Sequence, residues 1–507
     1  MITLNNKTDK KVKLPCLKCI SIGRAYELLR DDIRQHLTKA RKEIGFEYCR
    51  FHALFHDDMD VVYKKADGTI AYHWHHIDKI YDFLLSIGMK PFVELNPMPS
   101  AIASGEETFM WYKMNITPPK DMKLWYDLVY NFTKHVADRY GNDEVSTWFF
   151  EVWNEPNLAC FWTGTKEEYF ELYKNSANAI KAVCPDFKVG GPSTAVADWI
   201  QDAIDYCAEN NVALDFITTH LYPHDEYCRY KNREESPYEI GQYYSEVVKG
   251  VQETVKNSVM PDLKIYWTEF NTQSADCAEN IKFLGNTSLD RLFGASCIVR
   301  NMVNVKDYCE AVSYWVVSDI FEEAQMPHLP FSGTYGLLTI HGIKKAAYNA
   351  FVLLKKMRGN IIEADVDAPL GCGMLAAEEN GVYRVLLWNN VLPEIKDQPV
   401  WNEKITLDIT NPDEFVIQQA KIKEEQGSPY ESWIKMGKPS NLSPFEEDFL
   451  RGCSEMEYSL LKFVGEEASV EVSLKPDEVV YLEIKKNEDA DVLIATDMDL
   501  QEKLRTY

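Results

Sequence analysis

Between residues 17 and 317, eight short apolar runs alternate with longer amphipathic segments, and this alternation restricts the chain to few folds. The runs are LKCISI (17–22), FEYCRF (46–51), KPFVEL (90–95), TWFFEVW (147–153), FKVGG (187–191), LDFITTH (214–220), LKIYWTE (263–269) and AVSYWVV (311–317). They are continuous more than alternating, as strands covered on both faces must be. The segments between them, for example 31–44, 77–88, 123–140, 166–184, 240–257 and 288–307, carry the period of surface helices. A strand followed by a helix, repeated eight times, predicts an α/β fold of the (β/α)₈ TIM barrel type. An open doubly wound sheet fits less well, because no Gly-rich dinucleotide or phosphate fingerprint follows the first run.

After about residue 358 the pattern changes. GMLAAEENGVYRVLLWNN (373–390) reads as a hairpin about Asn380 and Gly381, and ASVEVSLKPDEVVYLEI (468–484) alternates with period two. With the strand-like segments 402–409 and 414–421, this predicts an accessory β-sandwich domain. The expected division is a barrel over 13–358, a sandwich built from 1–12 and 359–486, and a charged tail over 487–507.

The fourth run raises the functional question. FFEVWNEPNL (149–158) sends a strand that should be buried straight into Asn154, Glu155 and Pro156, where a solvated turn is usual. In a barrel of this kind the C-terminal ends of the strands face the active-site mouth. Glu155 ends the fourth strand, and Glu269, in IYWTEFNT, ends the seventh, across the barrel. Two carboxylates converging at roughly 5 Å are what a retaining glycosidase needs, one to attack the anomeric carbon and one to protonate the leaving oxygen. On its own, a strand-end Glu is an ordinary solvated or ion-paired residue; the pairing changes the reading.

Composition excludes other classes. With 54 basic and 79 acidic residues the formal charge is −25, which disfavours nucleic acid and anionic membrane as partners and leaves neutral polymers such as oligosaccharides acceptable. No uncharged apolar run of about 18 residues occurs, and the first residues lack a secretory h-region, so a soluble, cytoplasmic protein is expected. Its twelve cysteines are scattered through predicted strands and helices, Cys49, Cys184, Cys207 and Cys297 among them, and read as reduced, buried side chains.

The motifs WFFEVWNEPNLACFW, YWTEFNT, HALFHDDM and SYWVVSDIFEE together resemble glycoside hydrolase family 39, and SPYESWIKMGKPS in the C-terminal part is similar to the family's β-xylosidases. The resemblance implies that Glu155 is the acid and later the base, and that Glu269 is the nucleophile. It implies a sugar 2-hydroxyl contact for Asn154, sugar contacts for His52, His220 and Tyr222, a hydrophobic platform for Trp315, and hydroxyl recognition by Glu322 and Glu323. Without the resemblance, Asn154 reads as a turn cap, the histidines as packing residues, Trp315 as strand core, and the acidic pair as surface. The chemistry requires Glu155 protonated and Glu269 ionised when substrate binds, with Tyr222 or His220 supporting the charge of Glu269.

No cofactor or metal is expected. His52 and His56 stand four apart and HWHH spans 73–76, yet neither belongs to HExxH or to another zinc spacing. Cys16 and Cys19 form a lone CxxC that alternation within a barrel strand would explain. The implied activity is an exo-acting release of xylose from β-xylo-oligosaccharides. The same chemistry on a β-glucoside, arabinoside or iduronide is the alternative, although Glu322 and Glu323 would repel a uronate; a non-catalytic sugar-binding barrel is disfavoured by the two carboxylates. RFHA, the segment 220–238 and the stretch after Glu269 depart from the family pattern. The charged tail and the resemblance are compatible with a homo-oligomer.

Overall fold

The computed structural model of the chain describes residues 2–486, apart from 224, 231–232, 274–287, 324–325, 393, 396, 408, 410–411 and 464–467. The expected tail and most of the stretch after Glu269 therefore lie outside the described residues.

The eight apolar runs form β1 (Cys19–Arg24), β2 (Tyr48–His52), β3 (Lys90–Leu95), β4 (Phe149–Val152), β5 (Lys188–Thr194), β6 (Phe216–His220), β7 (Lys264–Phe270) and β8 (Ala311–Tyr314). Each pairs in parallel with its sequence neighbour, and β8 pairs with β1, so the sheet closes. Eight long helices cover it: α1 (Asp31–Glu43), α2 (His75–Ser86), α3 (Met122–Tyr140), α4 (Lys166–Val183), α5 (Ile200–Glu209), α6 (Tyr243–Lys256), α7 (Phe293–Val305) and α8 (Ala346–Lys356). Their ends follow local chemistry. In α4, Thr165 accepts from the Glu168 N–H at 3.2 Å while Glu168 accepts from the Thr165 N–H at 2.7 Å, a reciprocal cap.

Alternate residues of each strand point into the barrel. The lowest interior layer is aromatic: Phe92 and Phe149 stack at 5.1 Å, and Phe216 and Tyr266 meet Phe149 at 5.2 and 4.8 Å. The residues of opposite phase, Phe150, Val152, Val93 and Ile217, pack against the helices. Two sequence expectations need correction here. Cys16 lies in the short 3₁₀ turn Pro15–Leu17 and only Cys19 belongs to β1, because Pro15 cannot donate to a ladder and starts a turn instead. The eighth strand ends at Tyr314, so Trp315 belongs to the loop at the mouth.

The C-terminal part forms two sheets. Ile2–Leu4, Trp401–Leu407 and Ser469–Leu474 make the smaller one. The larger one contains Asn6–Lys11, Asn360–Glu363, the hairpin Cys372–Glu379/Val382–Asn389, Val479–Lys486 and Phe415–Glu424, with Glu457–Leu461 on the outer side of the last. As the sequence suggests, the hairpin turns on Asn380 and Gly381, both with positive φ (54° and 79°), the geometry that an Asn-Gly pair favours. Ser469–Leu474 and Val479–Lys486, adjacent in sequence, enter different sheets. Between the sheets Val385, Leu387, Ile405, Val470, Leu482 and Ile484 form a separate core. The outer face of the larger sheet, through Leu386, Trp388, Ala420 and Tyr481, joins the core around the barrel helices.

Candidate active site

The path from strand to site is most visible at the end of β4. Trp153 and Glu155 both adopt left-handed backbone (φ 67° and 44°), uncommon for bulky side chains, and the Glu155 N–H donates to the Ser193 carbonyl of β5 at 2.8 Å. Trp153 is anchored by its indole N–H on the Phe161 carbonyl at 3.1 Å. This held elbow turns Asn154 and Glu155 into the mouth instead of letting the chain run into solvent.

On β7 the same end is reached by a register shift. Thr219 pairs with Trp267 but His220 pairs with Glu269, which leaves Thr268 as an extra residue on β7. A bulge of this kind re-aims side chains at a barrel rim, and here Thr268 and Glu269 both reach the interior polar groups: Thr268 Oγ1 donates to Glu151 at 2.7 Å, and Glu269 accepts from Arg50 at 2.9 Å.

Arg50 organises the floor. Fully buried, it donates through Nε to Glu151 (2.6 Å), through Nη1 to Glu269 (2.9 Å) and through Nη2 to Asn154 Oδ1 (2.9 Å), and it forms an ion pair with Glu94 at 2.7 Å. One guanidinium thus faces three buried carboxylates. Burial drives the Glu94 carboxyl well above the usual range; Glu151, which burial would also raise, is held below it by Arg50. With its Oδ1 fixed by Arg50, Asn154 turns a buried Nδ2 that has no protein partner toward the pocket.

His220 Nδ1 lies 2.9 Å from Glu155 and 3.7 Å from Glu269, and its Nε2 lies 3.1 Å from Thr268 Oγ1. Tyr222 donates its hydroxyl to Glu269 at 2.9 Å. His52 places Nδ1 at 2.9 Å from both oxygens of Glu94 and Nε2 at 3.5 Å from Glu269 and 3.8 Å from Glu323, with Trp315 tilted against its ring at 4.4 Å. Burial lowers both histidines, His52 to about 3, so both are neutral near pH 7. An oxygen of Glu155, an oxygen of Glu269 and a nitrogen of His220 lie within 4.8 Å of one another. They are the one set of described side chains spaced to hold a metal, and they are also the paired carboxylates and their histidine.

Glu322 differs from the sequence expectation. Its carboxylate accepts from Arg24 Nε at 2.8 Å and also from Arg24 Nη2, and it has Arg30 at 3.6 Å, so it is not the bare surface acid that the sequence alone suggests. Beneath it burial, with Glu322 alongside, pushes Glu27 up to about 8 while Glu27 accepts the Glu322 and Arg24 backbone N–H groups. All nine residues singled out from the sequence reach the mouth or its rim. Arg50, Glu94, Glu151, Thr268 and Arg24 went unnoticed, although Arg50, Glu94 and Glu151 each sit inside an apolar run, two residues after an aromatic.

The sequence profile described as Glycosyl hydrolases family 39 matches residues 2–455. The chain belongs to this family. Family 39 enzymes are glycoside hydrolases, and the chain is one. It is 38% identical to a β-xylosidase of Caldicellulosiruptor saccharolyticus over 96% of this chain and 98% of that one. To a β-xylosidase of Geobacillus stearothermophilus it is 33% identical over 83% and 82%. Among solved structures, a monomeric β-xylosidase from Caulobacter crescentus CB15 superposes with a TM-score of 0.83 at 31% identity, covering 96% and 99% of the two chains. Among the described residues no helix is long and apolar enough to cross a membrane.

Proposed function

We propose that the protein is a retaining, exo-acting β-xylosidase that removes xylose from the non-reducing end of xylo-oligosaccharides, with Glu269 as nucleophile and Glu155 as acid and base. The observation that carries this reading is the approach of the two carboxylates to within 4.8 Å. One oxygen of each carboxylate meets at that distance, in keeping with the roughly 5 Å spacing of a double displacement.

Hydrogen-bond bookkeeping supports the division of roles. Glu151, ionised, only accepts, so the single proton of Thr268 goes to it at 2.7 Å. Thr268 Oγ1 can then accept from His220 Nε2 at 3.1 Å, and in that tautomer the neutral ring presents a lone pair at Nδ1 to Glu155 at 2.9 Å, a hydrogen bond when Glu155 carries the proton. A protonated Glu155 beside an ionised Glu269, which receives Arg50 and Tyr222, is the state in which a glycoside is cleaved.

In the first step Glu269 attacks the anomeric carbon while Glu155 gives its proton to the departing oxygen. The ester that forms neutralises Glu269, and Glu155, now a base, takes a proton from the incoming water. The unpartnered Asn154 amide suits the sugar 2-hydroxyl. Trp315 offers an apolar wall for the sugar ring, and His52, Glu322 and Glu323 line the pocket side away from Glu155. Arg24 and Arg30 engage Glu322, which offsets its repulsion of a uronate. We further propose the division of barrel, sandwich and tail given above, and a reducing, cytoplasmic setting, supported by free, buried cysteines such as Cys16, Cys19 and Cys49.

A panel of nitrophenyl glycosides (β-xyloside, β-glucoside, α-arabinoside, α-iduronide), with the first-formed anomer followed by proton NMR, tests the reading. The β-xyloside should give the highest kcat/KM and β-xylose should appear before mutarotation. First release of α-xylose, or preference for another glycone, would overturn it.

A further inference from the structure

Arg24, the last residue of β1, joins loops from neighbouring strands and takes no part in the bond-breaking step itself. Its guanidinium donates to Asp58 in the loop after β2 and to Glu322 in the loop after β8. The same group lies 4.7 Å from the ring centre of Tyr112, in the loop after β3, and 5.1 Å from that of Tyr26, in the loop after β1. The loop after β3 is itself a hairpin, Thr108–Phe109 against Met114–Asn115, seated on Ala53 and Phe161. At its tip the Trp111 N–H donates to the Glu323 carbonyl at 2.7 Å, while the indole stays 52% exposed. His56 adds an edge-on contact to Tyr112 at 5.4 Å and an ion-pair contact to Asp58 at 2.7 Å.

The joined loops follow β8, β1, β2 and β3, four consecutive strands that make up one half of the mouth. Glu155, His220 and Glu269 come from β4, β6 and β7, the other half. On the proposed mechanism the leaving group departs past Glu155, so the part of a xylan chain beyond the terminal sugar would have to pass through the half that Arg24 closes. We propose that the Arg24 cluster with Tyr26, Asp58, Tyr112 and Glu322, and the hairpin tip that Trp111 latches to Glu323, form the wall that blocks any sugar beyond the terminal one and so makes the enzyme exo-acting. Arg24 is a positioning residue in this scheme. Its planar guanidinium meets one Glu322 oxygen through both Nε and Nη2 and Asp58 through Nη1, close to two tyrosine rings, a geometry that Lys cannot reproduce. This inference rests on the proposed β-xylosidase activity.

The test is the first bond cut in 4-nitrophenyl β-xylobioside. The wild-type enzyme should release xylose and nitrophenyl xyloside first, because cutting the aryl bond requires a sugar beyond the terminal position. Trp111→Ala, Tyr112→Ala and Arg24→Met should raise the initial ratio of direct nitrophenol plus xylobiose to xylose by roughly tenfold or more, the size of one lost steric discrimination. Trp111→Ala keeps the backbone latch and removes only the half-exposed indole, so it carries little risk to folding and tests the bulk that the tip adds to the wall. Each variant is checked for wild-type unfolding behaviour and for turnover of nitrophenyl β-xyloside, where kcat should change less than KM. Variants that are folded and active on the monoxyloside yet still release xylose first would overturn the wall. Aryl cleavage first in the wild type would do the same while leaving xyloside hydrolysis intact. No action by the wild type on either substrate would sink the proposed function, and this inference with it.

Discussion

Two layers of the same barrel, two residues apart along each strand, are both largely buried and chemically opposite. At the bottom stand Tyr48, Phe92, Phe149, Phe216 and Tyr266; one step up the same strands stand Arg50, Glu94, Glu151, Thr218 and Thr268. The step is about 7 Å. The lower layer needs only shape, since apolar groups gain by leaving water whatever their exact partner. In the upper layer each buried charge must find a partner, because an unmatched one costs far more than a hydrogen bond returns. One arginine serves three carboxylates there; burial keeps the histidines neutral against the pull of the neighbouring carboxylates, and burial likewise raises Glu94. The lower layer closes the barrel, and the upper one gives up stability for chemistry.

The sharpest test of that contrast is to remove function from the upper layer without touching the fold. Glu269→Gly should lower turnover of aryl β-xyloside by roughly 10⁴-fold or more, as loss of a nucleophile does. Azide should restore it as the α-glycosyl azide, since a small anion can enter the vacated space and attack from the opposite face. A β-azide product would exchange the roles of Glu269 and Glu155.

Glu155→Ala comes next in size, and its effect should depend on the leaving group. Protonation is needed when xylose departs from xylobiose and hardly when dinitrophenolate departs, so the loss should be about 10²- to 10⁴-fold for the first and much smaller for glycosylation by the second. A pre-steady-state burst should appear with the dinitrophenyl substrate, and azide should speed release as the β-azide. Equal slowing of both substrates, with neither burst nor azide effect, would reduce Glu155 to a strand-end residue.

These two glutamates were legible in the sequence because each interrupts an apolar run at its end, where a barrel exposes side chains. The charges inside the runs were not. Arg50 in FEYCRF, Glu94 in KPFVEL and Glu151 in TWFFEVW look like single exceptions within apolar strands, and only closure of the barrel brings them together. Their common phase, two residues after Tyr48, Phe92 and Phe149, was the available signal. Arg24 was hidden for a different reason: its partners lie 34 and 298 residues away, in loops whose course no periodicity encodes. The strands and most helices follow from local pattern, whereas the two bends that aim Glu155 and Glu269, left-handed backbone in one and a bulge in the other, arise from neighbouring strands.

The lower layer should answer in the opposite way. Phe149→Ala removes the ring that touches Tyr48, Phe92, Phe216 and Tyr266, and should cost about 3–5 kcal/mol of stability in urea unfolding. At a temperature where the variant is folded, kcat/KM should stay within about threefold of wild type, as effects at sites without shared partners stay separate. A large loss of activity with little loss of stability would mean that the two layers are not independent.

The smallest effect separates the layers by pH. His52 titrates near 6.5 when unfolded and at about 3 when buried, so between these values the unfolded chain holds a proton that the native one lacks. Its contribution is complete above pH 6.5 and is lost as the pH falls, a slope of about +1.4 kcal/mol per pH unit. Glu94 acts with the other sign: its folded value lies well above 4.5, so the native state keeps a proton that the unfolded one releases, and stability falls as the pH rises past 4.5. Between pH 4.5 and 6.5 these two slopes oppose each other, and His220, also lowered, adds to the first. His52→Asn removes one positive slope and leaves Glu94 in place. Unfolding free energies measured in urea across that window should therefore rise less with pH than in the wild type, by up to about 1.4 kcal/mol per unit. Phe149→Ala, less stable at every pH, should run parallel to the wild type, because nothing in the lower layer titrates there. Parallel curves for His52→Asn and wild type would show that His52 keeps its proton in the folded state, and that the negative charge of the upper layer is balanced by an imidazolium rather than by a protonated Glu94.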